Sequence, residues 1–276
     1  MTLIADEPMP GLDSGGERRF LESFSIDVRD IGYVPWAGMK KFILFTGPYK
    51  TYPKGLIQNL WTGFGGAVGQ EPGDTLNWSK FGLFCLNFNL RNNWGGNFFL
   101  EGGSCYDGGM DYFQWVINPS IYGNGLNYNI WLGGNVNYSY NYPRNFLAYQ
   151  AYTWQGFYWT LLPRISLELN SNLWIEWDTT NTIISIWPVA TPRIDFTITP
   201  TMTCGIFNEF VFTTPGTDFN KTEFLTNRFG FLFSYNFKPK SWLYIALNDY
   251  RVQDETDRLT LKNQVGAIKA KYLIYF

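Results

Sequence analysis

Apolar and polar side chains alternate with a period of two along several stretches of the chain. In the clearest stretch, Arg228–Phe237, five aromatic residues fall on one side and mostly small or polar residues fall on the other. Alternation of this kind predicts a β-strand that separates two different environments. The Lys-Pro-Lys segment 238–240 breaks the pattern and alternation resumes in 241–250, so we expect a hairpin here.

Other alternating segments carry their charged residues on one face only. In 193–199, for example, isoleucine and phenylalanine alternate with arginine, aspartate and threonine. If such strands close into a barrel with the apolar face outward, the charged residues face the lumen. The candidate lumen-lining residues are Arg164, Glu168, Glu176, Asp178, Arg193, Asp195, Glu209, Lys269 and Lys271.

Turn signals divide the chain into spans of similar length. Short turns are predicted near residues 93, 144, 170, 200 and 239, and longer polar connections at 71–79, 106–128, 214–226 and 252–263. Short turns on one side and longer loops on the other are typical of transmembrane barrels, whose strands need about 9–11 residues to cross the bilayer. The sequence therefore predicts an all-β fold, a transmembrane antiparallel up-and-down β-barrel of about twelve strands, within a range of roughly 10–14.

The first 55 residues fit this scheme less clearly. Phe20–Val28 and Phe42–Phe45 could add two strands, or residues 1–55 could form a periplasmic lead-in or a plug. We assign the barrel to residues 56–276 and favour twelve strands over fourteen. Residues 1–10 hold no apolar run behind a basic flank, so we expect the sequence to start after processing or to be a fragment of a longer precursor.

Composition combines abundant aromatic rings with scarce charge. Aromatic residues make up 20% of the chain and charged residues 16%, yet the mean hydropathy is only −0.17. No stretch approaches the roughly 20 apolar residues that a helical span needs, whereas alternating strands hide an apolar face in such an average. The net charge is −2 with no basic block, which argues against a nucleic-acid partner.

Catalytic and cofactor chemistry find no support in the sequence. Histidine is absent, and no Ser or Cys nucleophile has a recognisable general base, so we expect no catalytic residues and no enzyme activity. Cys85, Cys105 and Cys204 lack the spacing of a metal site or a haem attachment site. We therefore expect neither a metal nor a cofactor.

Tryptophan and tyrosine residues permit two interpretations. Near strand ends they fit the girdles that flank the apolar band of a barrel, because a half-polar ring is favourable at the membrane interface. To these girdles we assign Trp94, Trp154, Trp159, Trp174, Trp177, Trp187 and Trp242. A sugar-stacking platform is the alternative, above all for the cluster in the predicted loop 106–128, which consists of Tyr106, Tyr112, Phe113, Trp115 and Tyr122.

The end of the chain carries a family resemblance. Phe276 is preceded at alternate positions by Ile274, Tyr272, Ala270 and Ile268. This segment resembles the C-terminal recognition strand of bacterial outer-membrane β-barrel proteins. The resemblance implies a location in the bacterial outer membrane, contact with its lipid, and insertion by the barrel assembly machinery, with Phe276, Ile274 and Tyr272 as the assembly signal.

Two internal segments resemble a second group. Arg193–Pro200 and Phe231–Leu247, with the Lys-Pro-Lys-Ser turn, are similar to the C-terminal barrel region of uncharacterised envelope proteins that carry an upstream carbohydrate-binding-like domain. The present chain lacks that upstream domain, so the resemblance implies a barrel and carries over no carbohydrate recognition.

Three functional hypotheses remain open at this stage. The first is a narrow channel or transport barrel for small solutes, in which the ionisable residues set selectivity. The second is a non-conducting barrel that anchors or scaffolds partner proteins of an envelope complex, its lumen filled by a polar network of the same residues. The third and weaker one is a soluble sugar-binding β-sandwich that buries aromatic rows such as Phe229, Phe231 and Phe233 between two sheets.

Overall fold

The computed structural model describes residues 19–23, 40–71, 74, 76–107, 109–254 and 256–273. In these ranges the chain forms fifteen β-strands and one short 3₁₀ helix, Phe219–Lys221. The strands are β1 (Arg19–Ser23), β2 (Lys40–Thr46), β3 (Tyr49–Thr51), β4 (Ile57–Gln70), β5 (Ser79–Leu90), β6 (Trp94–Asp107), β7 (Met110–Asn124), β8 (Tyr128–Asn141), β9 (Phe146–Leu162), β10 (Ile165–Trp177), β11 (Ile183–Thr199), β12 (Met202–Pro215), β13 (Glu223–Lys238), β14 (Ser241–Gln253) and β15 (Leu259–Lys271).

The strands follow one another through a single sheet in chain order, with β3 pairing beside the path onto β4. The registers resolved between neighbouring strands are antiparallel. The predicted all-β, antiparallel up-and-down architecture is therefore confirmed. Twelve strands, β4–β15, follow residue 56, and this is the number expected for that part of the chain. Within residues 1–55, β1 and β2 extend the same sheet, so fourteen strands lie in line, at the upper end of the predicted range rather than at the favoured twelve.

One compact unit contains residues 122–134 and 150–276, and its cross-strand registers define two faces. Directly paired residues share a face, so the pairs Leu167–Ile194, Ile194–Ile206 and Ile245–Ile268 extend one apolar side from strand to strand. This apolar face comprises Ile165, Leu167, Leu169, Ile194, Phe196, Ile206, Phe231, Phe233, Ile245, Leu247 and Ile268. The opposite, polar face comprises Glu168, Asn170, Glu176, Arg193, Asp195, Glu209, Arg228, Asn248, Lys269 and Lys271.

The other compact unit contains residues 1–121 and 135–149 and repeats this division. Phe64 pairs with Phe84, which pairs with Leu100, so apolar side chains share one face of β4, β5 and β6. Asn87 pairs with Asn97 on the opposite face. The period of two in the sequence thus predicts correctly which residues share a face, because successive side chains of a strand point to opposite sides.

Two predicted connections are wrong. The turn expected at Asn170-Ser171 lies inside the unbroken strand β10, and the chain turns instead at Pro163-Arg164. Residues 170–172 pair with β9 on one side and β11 on the other, and these two ladders outweigh the local turn preference of Asn and Ser. The long loop expected at 106–128 is also wrong, because β7 occupies most of it.

The predicted segregation of short turns and long loops holds with two exceptions, the turn near residue 144 and the two-residue connection between β6 and β7. In an antiparallel meander every second connection belongs to the same strand ends, and five connections of two or three residues alternate in this way: 91–93, 125–127, 163–164, 200–201 and 239–240. The intervening set includes the longer connections 71–78, 178–182, 216–222 and 254–258. The turn near residue 144 is real, but it belongs to this second set, in which it is a short member.

Few apolar side chains are buried in the described part of the chain. They are Ala67, Cys85, Ala148, Ala151 and Ile186. Large apolar side chains on the strands stay open instead, for example Phe64 at 55% and Ile268 at 76% exposure. A β-sandwich buries its apolar rows between two packed sheets, whereas the described strands belong to one sheet. No helix in the described residues has the length and apolar character to cross a membrane.

Candidate functional site

The charged residues predicted to line a lumen gather mainly on the polar face. Seven of the nine candidates share it by register: Glu168, Glu176, Arg193, Asp195, Glu209, Lys269 and Lys271. The other two lie outside the strands, Arg164 in the turn before β10 and Asp178 in the loop after it. The structure therefore brings charges of both signs onto one surface of the sheet, and their role in lining a lumen stays a prediction.

Arg193 and Asp195 form a close ion pair on this surface. The guanidinium donates from Nε to Oδ2 at 2.8 Å and from Nη2 to Oδ1 at 2.9 Å, so the contact is bidentate. Both residues lie on β11, two positions apart, with Glu168 paired to Arg193 and Gly205 paired to Asp195. A Cβ on Gly205 would come within 2.5 Å of Asp195 Oδ1, so the glycine leaves the space that the carboxylate occupies.

A second group of polar residues on this face could be predicted from the sequence only in part. Glu209 pairs directly with Arg228, and Arg228 donates from Nε to Asn248 Oδ1 at 3.2 Å. Arg228 stands at the start of the aromatic alternation, opposite Phe229, so its face could have been read from its position. Its pairing with Glu209 could not be predicted from the sequence, because that pairing depends on the register between β12 and β13.

Glu176 is the most enclosed acidic side chain named above. Its residue is 8% exposed and its carboxylate accepts a hydrogen bond from Ser185 Oγ at 2.7 Å. Ser185 in turn accepts from the indole Nε1 of Trp187 at 3.0 Å. Glu176 and Ser185 are directly paired between β10 and β11, and Gln150 pairs with Glu176 on the other side. The carboxylate is therefore held on the polar face of the sheet next to an aromatic ring.

The tryptophans assigned to interfacial girdles divide between the two faces. Trp159 and Trp177 lie on the apolar face, as a girdle requires. Trp154, Trp174, Trp187 and Trp242 lie on the polar face instead, with Trp242 paired to Lys271. The sequence already carried this signal, because Trp174 stands two positions before Glu176 on the same strand. Trp94 is the first residue of β6.

Five of the polar-face aromatic residues form what we call the aromatic row: Trp131, Tyr152, Trp154, Trp174 and Trp187. The Tyr152 ring centroid lies 5.9 Å from that of Trp154 and 5.8 Å from that of Trp174. Trp174 pairs directly with Trp187 across β10 and β11. The indoles of Trp131 and Trp154 lie over Gly156 and Gly133, in space that a Cβ at either glycine would fill.

The aromatic cluster predicted in a long loop belongs to strands. Tyr106 lies in β6, and Tyr112, Phe113, Trp115 and Tyr122 lie in β7. Tyr112 contacts Tyr140 at 6.1 Å between ring centroids, and Trp115 contacts Tyr149 at 6.0 Å. The cluster is thus part of a sheet surface, so its predicted position in a loop is wrong, and sugar stacking by these rings stays a prediction.

Asp178 caps the loop that it begins. It accepts hydrogen bonds from the backbone N–H groups of Thr182 at 2.9 Å and Thr180 at 2.8 Å, and from the Thr180 hydroxyl at 2.7 Å. These donors, above all Thr182 and the Thr180 hydroxyl, hold the pKa of this exposed carboxyl below its ordinary value. Asn181 adopts a φ of 64°, a left-handed conformation that Asn tolerates well in such turns.

Tyr272, which follows β15, contacts the end of β13. Its ring stacks on Phe237 with centroids 6.2 Å apart and an interplanar angle of 17°, and its hydroxyl accepts a hydrogen bond from Lys238 Nζ at 3.1 Å. Ile274 and Phe276, the other residues of the predicted assembly signal, lie outside the described residues. The signal and the assembly machinery as a partner stay predictions. Cys85, Cys105 and Cys204 are free thiols.

Comparison with known proteins gives a distant structural likeness. No protein-family model and no curated protein matches the chain. Among solved structures, the NanC porin in a rhombohedral crystal form is similar to it, with a TM-score of 0.36 at 9% sequence identity. The match covers 71% of this chain and 94% of that chain. At this score the likeness to a porin assigns neither a family nor a function.

Proposed function

We propose that this protein is a β-barrel of the bacterial outer membrane whose apolar face contacts lipid and whose polar face lines a narrow channel for small solutes. The observation that carries the proposal is the division of the sheet into these two faces. Along each strand apolar and polar residues alternate, so one side of the sheet suits lipid and the other suits water. A barrel wall between lipid and water provides both surroundings.

The apolar face supports the lipid contact. Leu247 is 49% exposed and lies among other apolar residues of the face. An apolar surface this extended is unfavourable in water unless something covers it. Lipid chains cover such a face without requiring shape complementarity.

The polar face supports the channel. Its charged groups contact polar or oppositely charged partners on the same strand or on a neighbouring strand, as in Arg193–Asp195 and Arg228–Asn248. Twelve to fourteen strands correspond to a bore between that of small filled barrels of about eight strands and that of porins with about 16–18. A narrow aqueous path with mixed charge selects small solutes.

Conductance tests the channel and cysteine labelling tests the faces. In planar bilayers the purified, refolded chain is expected to give discrete current steps. In a background with the three native cysteines replaced by serine, Ser234→Cys on the polar face should become sensitive to a charged methanethiosulfonate reagent. Phe233→Cys, on the apolar face of the same strand, is the matched control and should not respond. Correctly folded protein that passes no current contradicts the channel and favours the scaffold.

A further inference from the structure

We propose that the aromatic row on the polar face is a binding site for neutral saccharides. The proposal deepens the channel function by naming the class of solute. It rests on the position of Trp131, Trp154 and Trp174, on the polar groups beside them, and on the pairing of the charges around them.

The rings lie in positions where a ligand can contact them. Trp131 and Trp154 lie over Gly156 and Gly133, so each indole is supported from below by the backbone of a neighbouring strand. Their residues are partly exposed, as are Tyr152 and Trp174. Rings packed only to fill space would be covered on both sides. An apolar patch that stays open and is rimmed by polar residues marks a ligand-binding groove.

The rim supplies the hydrogen-bonding groups. Asn172 pairs directly with Trp154, Asn170 pairs with Gly156, and Ser185 accepts from the Trp187 indole. Pyranose rings present an apolar face of C–H groups and a periphery of hydroxyls. An aromatic platform beside amide and hydroxyl side chains fits both parts, with the few placed polar groups fixing orientation.

The charges around the row favour a neutral ligand. A site for an anionic or cationic solute would present unpaired charge of one sign along its path. Here Arg193 is bound to Asp195 and paired in register with Glu168, while Glu209 is paired with Arg228. These pairs, together with the hydrogen bond from Ser185 to the Glu176 carboxylate, occupy the charged groups nearest the row, so stacking and hydrogen bonding remain as the main sources of affinity.

The extent of the row sets the expected ligand size. It spans β8 to β11, four strands or roughly 14 Å at the usual spacing of about 4.8 Å. Several linked sugar rings cover this length. Affinity should therefore rise from monosaccharide to trisaccharide, as more rings are stacked, and then level off.

Two measurements with one series of sugars of increasing length test the proposal. Glucose, maltose, maltotriose and the corresponding cello-oligosaccharides are titrated against the full chain in detergent, following tryptophan fluorescence. The same sugars are added to the bilayer, following interruptions of the current. Trp174→Ala should weaken binding about tenfold, which corresponds to about 1.4 kcal/mol. Trp177→Ala, on the opposite face of the same strand, should change it less than about twofold.

Further variants separate stacking from folding. Trp174→Phe keeps a ring and should bind within about threefold of the unmodified chain, even if Trp174→Ala folds poorly. The proposal is overturned if no neutral sugar changes the fluorescence or the current, if the Trp174 and Trp177 variants lose affinity equally, or if tetraethylammonium or a sugar acid binds better than maltotriose. Current without sugar block refutes this inference and leaves the channel intact, whereas sugar-dependent fluorescence without current does the reverse.

Discussion

A charge placed on the apolar face should be far more costly than the same charge placed one residue away. Leu247→Arg and Ala246→Arg make this comparison within β14, because Leu247 lies on the apolar face and Ala246 on the polar face. Leu247 pairs with Phe231 and Gly266, and Ala246 pairs with Leu232 and Ala267. The two variants have the same added side chain, the same strand and nearly the same depth.

The expected cost follows from the position of Leu247 along the strand. It stands six residues after Ser241, the first residue of β14, which is roughly 14 Å along the membrane normal at about 3.3 Å per residue and about 45° of tilt. That is close to the middle of an apolar band about 25 Å tall, where a lipid-facing Arg costs about 2–4 kcal/mol. The unfolding constant should rise roughly 30- to 700-fold. Ala246→Arg should cost less than about 1 kcal/mol, since the polar face meets water in the proposed channel.

Urea unfolding of the chain in phosphatidylcholine vesicles, followed by tryptophan fluorescence, measures both free energies. The slope against urea must match between variants, since a changed slope signals a changed unfolded or native state. Equal costs for the two substitutions, or a larger cost at Ala246, would show that the apolar face does not contact lipid. In detergent-free buffer the unmodified chain is expected to aggregate, because that face is then exposed.

Three further predictions use other features of the structure. Asp195→Asn removes one negative charge from the polar face and should shift the reversal potential in a salt gradient toward anion preference, and an unchanged potential would contradict lumen exposure. The pKa of Asp178 is lowered in the folded chain, so its cap is complete above the ordinary aspartate pKa of about 3.9. The cap is lost only as pH falls through the lower pKa of the folded state. The chemical shift of the Thr182 amide in an NMR titration should therefore report a midpoint below about 3.9. Gly230→Ala would place a Cβ against the Phe207 ring and should destabilise the chain by about 1–3 kcal/mol in urea, whereas a neutral effect would mean that the ring moves freely.

The sequence predicts the faces well because strand periodicity is local. Glu168, Arg193 and Asp195 share a face in the structure as their spacing indicates, since a residue's side depends on its neighbours along one strand. The turn expected at residue 170 was wrong for the opposite reason. Asn-Ser-Asn favours a turn in isolation, but pairing of these residues with β9 and β11 is a non-local term that exceeds the local preference.

The aromatic row shows where sequence reasoning reaches its limit. The side on which Trp174 lies could be read from its spacing to Glu176, and the girdle assignment overlooked it. The seating of Trp131 over Gly156 could not be read, because it requires the register between two strands. Alternation along the strand, rather than composition, therefore separates aromatic residues of the apolar face from those that face the proposed lumen, and register decides which of the latter meet.

The polar contacts also bear on whether the ionisable residues fill a lumen or line an open one, the two alternatives left by the sequence. A network that fills a lumen needs hydrogen bonds that cross it and join strands far apart in the sheet. The contacts of Arg193 with Asp195, Ser185 with Glu176, and Arg228 with Asn248 instead join residues of one strand or of adjacent strands. Each of these contacts gives a charged group or a hydrogen-bond donor a partner on the same face of the sheet. Contacts of this kind, between residues of one strand or of adjacent strands, are what the proposed open channel requires, and the conductance measurement distinguishes it from the filled alternative.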